Sequence, residues 1–312
     1  MKTVNTSNIY LSSETGVKGS GTDFEVYLPA HGFTVKDGQF MRLTVQSMLG
    51  GKRFTDVNEY NSKFYASVYD SQGDGSYSAP VLCELSHTNH RNLESLGLDF
   101  GEVLVAKLNE ADVTLGATLF SNNTEINTGT TKYDSKISVT ITLPQYKKVL
   151  VTFVRDLTLN EMWDTHLLLG GKANGQTQSM NISDPVEVGG GGGVFHQTIT
   201  SHFPAQTHTI NHVYLRSSLV TDSHQNHHFD SSNYSHDGHI IGSTIMCKAA
   251  VHPGYFSFDD MNSKDTGYSI NIGNRSLTYI NFKLTTDKDQ PLPNADAHFV
   301  ELVLRLDILQ EE

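Results

Sequence analysis

The stretch "HFVELVLRLDIL" at 298–309 alternates in character. Val300, Leu302, Leu304, Leu306 and Ile308 share one parity and are all apolar, while Phe299, Glu301, Val303, Arg305 and Asp307 share the other and are mixed. A period of two with one apolar face predicts a strand lying half-buried on a sandwich. "DFEVYLPA" at 23–30 reads the same way, with Phe24, Val26 and Leu28 on one side and Glu25 and Tyr27 on the other. Further β-branched and aromatic runs predict strands at 8–13, 40–48, 63–70, 81–86, 136–144 and 148–154. After residue 200 they resume at 212–220, 242–251, 255–260, 268–272 and 277–285.

Two segments break this rhythm. In "NLESLGLDFGEVLVAKLNEA" (92–111), Leu93, Leu96, Phe100, Val103, Leu104 and Leu108 recur at helical spacing, which predicts an amphipathic helix weakened by Gly97 and Gly101. "TLNEMWDTHLLL" (158–169) predicts a second helix, with Thr158 as candidate N-cap and Gly170 as its stop. A loop-like segment then ends in five consecutive glycines, Gly189 to Gly193, which read as a flexible connection. The pattern therefore divides the chain into a β-rich N-terminal domain, 1–157, a helix and Gly-rich connection, 158–200, and a β-rich C-terminal domain, 201–312. Each β-rich part has the six to eight short strands of a two-sheet sandwich, of which the jelly roll is the eight-stranded form.

Composition narrows the picture. Only 18% of residues are charged and the formal net charge is −12, with no Lys/Arg run to neutralise phosphates. That argues against direct binding to DNA or RNA. The two cysteines, Cys83 and Cys247, each sit in an apolar stretch and read as small buried side chains, not a disulfide. No apolar run is long enough for a spanning helix, and "MKTVNTSNIY" lacks the apolar core of a signal peptide, so synthesis and folding are expected in a reducing cytoplasm or nucleus.

Several pieces in order carry a resemblance. "VLVTFV" leads to a helix ending "LLLGG" (167–171). "HVYLRSSLV", "STIMCKAAV", "SLTYINFKLTTDKDQPLP" with its acidic turn Asp287 to Pro291, and the terminal "VELVLRLDIL" follow. "DFEVYLPAHGF…GQFMRLTVQSM" matches more loosely. Together they resemble the double-jelly-roll major capsid proteins of tailless icosahedral viruses, the polinton-like, virophage and lipid-containing phage lineage. The resemblance implies an all-β chain of two consecutive eight-stranded jelly rolls with short helices in the connections. It implies a structural protein of the virion, made in the host cytoplasm, whose homotrimers form pseudo-hexameric capsomers. Its partners would be neighbouring capsomers, penton and minor capsid proteins and an internal membrane. A penton or minor capsid role is the alternative in the same class; a carbohydrate-binding sandwich, with Tyr255, Phe256 and Phe258 as its aromatics, is the alternative outside it.

"HQNHHFDSSNYSHDGH" holds His224, His227, His228, His236 and His239 with Asp230 and Asp237, all metal-ligand types. The pairs spaced by three would converge only on a helix, and Asn, Ser, Asp and Gly make that segment a polar loop; the histidines could otherwise sit at a subunit contact and change charge near pH 6. "GGKRF" (50–54) and "GGKANG" (170–175) lack the Ser/Thr that a phosphate-binding loop needs. The acidic loops 70–74 and 258–265 offer oxygen ligands but do not match the twelve-residue calcium loop. No Gly-x-Ser-x-Gly elbow occurs, and Trp163 reads as a core anchor. The expectation is no catalytic residue, no cofactor and no metal.

Overall fold

The computed structural model describes residues 2–15, 17–28, 32–73, 75–111, 118–128, 135–156, 161–172, 179–187, 195–220, 227–230, 239–242, 244–259, 269–272, 276–294 and 297–310. Five strands come first: β1 (Lys2–Ser12), β2 (Val17–Gly19), β3 (Asp23–Tyr27), β4 (Phe33–Thr34) and β5 (Gln39–Gly51). Next come β6 (Lys63–Asp70), β7 (Val81–Glu84), α1 (Leu93–Ala111), β8 (Thr118–Thr128), β9 (Ser135–Leu143), β10 (Lys147–Thr152), β11 (Val154–Asp156) and β12 (Glu161–Met162). After α2 (Thr165–Leu169) follow β13 (Asn181–Ile182), β14 (Val186–Glu187) and β15 (Phe195–Thr200). The last stretch carries β16 (His212–Arg216), β17 (His227–Asp230), β18 (His239–Gly242), β19 (Ile245–His252), β20 (Tyr255–Asp259), β21 (Ser269–Ile272), β22 (Ser276–Leu277), β23 (Tyr279–Thr285) and β24 (Val300–Gln310). The chain is mostly β, with two helices in its connections, as the alternation predicts.

Its division is not the linear one. The chain forms two compact units, one of residues 1–54 with 210–312, the other of 55–209. The boundaries expected at 157 and 200 fall inside the second unit. The reason is nonlocal pairing: β24 pairs antiparallel with β1 on one side and along all of β5 on the other. Sequence periodicity identifies a strand but says nothing about which distant strand completes its ladder.

In the first unit a ten-stranded sheet runs β1-β24-β5-β20-β19-β16-β23-β3-β2, with β21 also on β5. β5 is 13 residues long, so one edge of it serves two partners, β21 at Met41–Thr44 and β20 at Ser47–Gly51. Gln46 is an extra residue opposite the Val303/Leu304 step, a bulge that reverses the parity of β5. Hence Met41, Leu43 and Val45 face the core before it and Met48 and Gly50 after it. The core takes Val300, Leu302, Leu304 and Leu306 from β24, Phe24 and Val26 from β3, and Phe282 and Leu284 from β23. Past Leu306 the expected parity slips: Asp307 and Leu309 are buried and Ile308 is only half-buried. Asp307 is tied down there, accepting from Thr6 Oγ1 at 2.7 Å and from Arg305 Nε at 3.0 Å.

The excursion into the second unit leaves and re-enters the sheet at neighbouring ladder positions. Gly51 at the end of β5 lies opposite Tyr255, His212 at the start of β16 lies opposite Ala250, and Tyr255 itself pairs with His252. The first unit's sheet thus runs on from β5 through β20 and β19 to β16 without a strand from the intervening residues.

The second unit is built differently. It has a three-stranded sheet β10-β6-β7, the pair β11-β12, and a five-stranded sheet β13-β15-β9-β8 with β14 on β15. α1 starts at an Asn92 cap, whose Oδ1 accepts from the Ser95 N–H at 2.9 Å. It is one continuous helix, and Gly97 and Gly101 lie on its buried face with Leu96, Phe100, Leu104 and Leu108. The glycines that weaken its intrinsic propensity are buried where a bare backbone allows close packing. Phe100 meets Phe64 of β6 with ring centroids 5.2 Å apart. Buried Gln197 of β15 links the sheets: its Oε1 accepts from Val149 N–H of β10 at 3.0 Å and its Nε2 donates to the Ser183 carbonyl at 3.1 Å.

The second predicted helix is shorter than expected. It spans Thr165–Leu169 after an Asp164 N-cap, while Glu161 and Met162 pair with β11 and Thr158 lies outside the described residues. Gly170 does end it, in the left-handed region at φ 68°. The five glycines lie outside the described residues, but their flanks, β14 and β15, pair with each other, Val186 with His196 and Glu187 with Phe195. That run connects strands of one sheet within one unit; it is not the expected join between two domains.

Candidate assembly surfaces and the histidine segment

The histidine segment is in part a ribbon, not the featureless loop its composition suggests. β17 and β18 pair antiparallel, His227 with Gly242 and Asp230 with His239. Phe229, Ile240 and Ile241 supply the β-propensity that the surrounding polar residues mask. His224, His236 and Asp237 lie outside the described residues. Among the described residues no group of three His, Cys, Asp or Glu side chains is placed to hold a metal ion.

The other singled-out residues have local duties. Asp70 Oδ1 accepts from the N–H groups of Gln72 and Gly73 at 2.9 and 3.0 Å, a turn closure, and Asp74 lies outside the described residues. Of the acidic loop 258–265 only Phe258 and Asp259 are described. In "GGKRF", Gly50 and Gly51 finish β5 and Lys52 Nζ sits 5.2 Å above the Phe54 ring. Trp163 is half-buried and packs on Tyr65 at 5.3 Å between centroids. Of the aromatics considered for a sugar surface, Phe256 is fully buried and Phe258 packs against the core, leaving Tyr255 exposed and stacked on His252 at 4.8 Å. Period-2 geometry sends Phe256 inward, so the three cannot form one binding face.

Both thiols are buried and unbridged. Burial pushes Cys83 up to about 12, with Lys107 opposing, and burial likewise raises Cys247. Neither has the thiolate character that nucleophilic chemistry requires.

What the surface of the first unit offers is exposed strand. β1 is an edge strand whose residues from Lys2 to Thr6 are all exposed. Tyr10 of β1 is 72% exposed and lies opposite Val303, and Leu49 of β5 is 46% exposed and lies opposite Glu301. Tyr27 and Tyr279 form a cross-strand pair, 6.2 Å between centroids, on the outward side of β3 and β23. Among the described residues no strand pairs with the outer edge of β1, and a bare edge and outward aromatics are features that natural monomers usually blunt.

Neither a family model nor a curated protein matches the sequence. Among solved structures, the chain is similar to the penton protein of mavirus, at 11% identity over 97% of this chain and 100% of that one, with a TM-score of 0.43. A structure of the Sputnik virophage is matched at 13% identity over 96% of this chain and 97% of that one, with a TM-score of 0.35.

Two buried groups escape sequence reading. Arg216 closes β16 with its Nε donating to Thr285 Oγ1 at 2.8 Å and facing Asp289 Oδ1 at 3.1 Å. Burial lowers its pKa, Asp289 opposes that, and Nη2 has no hydrogen-bond partner among the described residues. Asp289 reaches it from a turn where it adopts φ 57°. His298 is buried with Nδ1 3.1 Å from the Gly51 carbonyl and Nε2 2.8 Å from the Pro293 carbonyl. In sequence Arg216 lies inside the expected strand 212–220 and His298 opens the one at 298–309; Asp289 and the Gly51 carbonyl reach them from far along the chain.

Proposed function

We propose that this chain is a structural subunit of an icosahedral viral capsid and that it occupies a five-fold, penton-type position. The observation that supports the position is the inequality of the two units. One is built on a ten-stranded sheet in which β1 and β24 pair with each other, and the other is an insertion with a long helix and smaller sheets. A trimer that imitates a hexamer needs two equivalent barrels per subunit, six in all. A five-fold ring needs one barrel per subunit and leaves an inserted unit free for another task. The outward aromatics and the bare edge of β1 are the kind of surface that neighbouring subunits would cover.

On this reading the partners are four further copies of the chain and the surrounding major capsid subunits, the place of action is the virion, and no chemistry is performed. Native mass spectrometry tests it. A closed pentamer is the expected result. A trimer would overturn the five-fold position in favour of pseudo-hexameric capsomers, and a strict monomer at high concentration that also fails to join particles would overturn the capsid reading itself.

A further inference from the structure

The second unit holds a cavity of about 340 Å3. Leu150 of β10, Ile182 of β13 and Met180 are among its lining residues, with Tyr77, Lys148, Lys172, Asn181 and His202. The volume is in the range of small-ligand sites and far exceeds what a bare inorganic anion fills.

The lining is cationic on a chain of net charge −12. Lys148 pairs with Asp184 at 2.8 Å, but that carboxylate is 90% exposed, so the pair is solvent-screened and opens at little cost. Lys172 is exposed at the rim. The field is felt by His202, whose pKa is lowered by burial and then by Lys172 and Lys136. A hydrogen bond to the Met180 backbone opposes that lowering and engages one ring nitrogen, which leaves the other for a ligand. Asn181 adds an amide, and Tyr77 adds a hydroxyl on a ring held 5.2 Å from Tyr69.

Ammonium groups, neutral two-way hydrogen bonders and flat apolar patches in one cavity match one ligand chemistry. A pyranose has apolar C–H faces and hydroxyls that both donate and accept, and an acidic sugar adds one anionic group. We propose that this cavity binds one unit of an acidic sugar, with Lys148 and Lys172 holding its carboxylate or sulfate and Leu150, Ile182 and Tyr77 meeting its ring.

Saturation-transfer NMR on the full-length protein tests this with four probes: N-acetylneuraminic acid, glucuronic acid, glucose 6-sulfate and neutral galactose. At least one acidic sugar should show transfer, galactose should show none, and the preferred acid identifies carboxylate or sulfate as the anchor. Lys148→Gln and Lys172→Gln should each weaken binding about 10-fold, the worth of one charge-assisted hydrogen bond. Tyr77→Phe, which removes only a hydroxyl, should weaken it less, and all three variants should keep the parent unfolding midpoint. Binding of galactose as tight as the acids, full competition by inorganic sulfate, no transfer from any acidic sugar, or unchanged affinity in the double lysine variant would each overturn the assignment.

Discussion

Truncating Leu304 tests the packing of the first unit at its centre. The side chain is 0% exposed, lies between Ile9 of β1 and Val45 of β5, and belongs to the core that those strands enclose. Full burial of a leucine stabilises by about 1.5–3 kcal/mol. Leu304→Ala also leaves a cavity that a sheet paired on both sides cannot collapse into, so the cost rises to roughly 2–5 kcal/mol. A domain has only about 5–15 kcal/mol of stability in all. For a unit of this size ~3 kcal/mol lowers the unfolding midpoint by about 6–12 °C. Glu301, three residues earlier on the same strand, is exposed, and Glu301→Ala should stay within about 0.5 kcal/mol of the parent. Urea unfolding followed by tryptophan-independent far-UV circular dichroism gives both values. Equal losses, or a greater loss from Glu301→Ala, would refute the face assignment of β24 and with it the sandwich register.

Four further outcomes are expected. Gly50→Ala places a methyl inside the ring of buried Phe256, so overpacking should cost about 1–3 kcal/mol in the same assay, and an unchanged midpoint would show that Phe256 is free to move. His298→Leu removes the donor between the Gly51 and Pro293 carbonyls and should destabilise by about 1–3 kcal/mol; a neutral result would mean water reaches them. Cys83 and Cys247 should resist a thiol reagent at pH 8 until the protein unfolds, whereas fast labelling of the native protein would contradict their burial. His212 has its pKa lowered by burial and by Lys248, with Asp287 opposing, so its contribution to stability is full above the ordinary histidine range and lost as pH falls through it. His212→Gln should therefore flatten part of the stability decline between about pH 7 and pH 5, and an unaltered slope would refute this linkage.

The sequence by itself determined the local structure. Period-2 alternation marked β3 and most of β24, helical spacing marked α1 almost to the residue, and Gly170 marked the end of α2 because only a left-handed residue fits there. Local sterics and one-sided burial leave their signature in neighbouring residues, so they can be read without knowing the fold. What the tertiary structure decided is everything that depends on a distant partner. The bulge at Gln46, the parity slip at Asp307 and the pairing of β1 with β24 are set by contacts between residues more than 300 positions apart in the case of β1 and β24. No pattern of apolar spacing encodes those pairings, because a strand's alternation records which face is buried and not what buries it. For the same reason the Gly-rich run looked like a domain join and the histidine segment like a featureless loop. The cavity between β10 and β13 was equally invisible, since Lys148, Lys172 and His202 meet only after three separate loops and strands are folded into one unit.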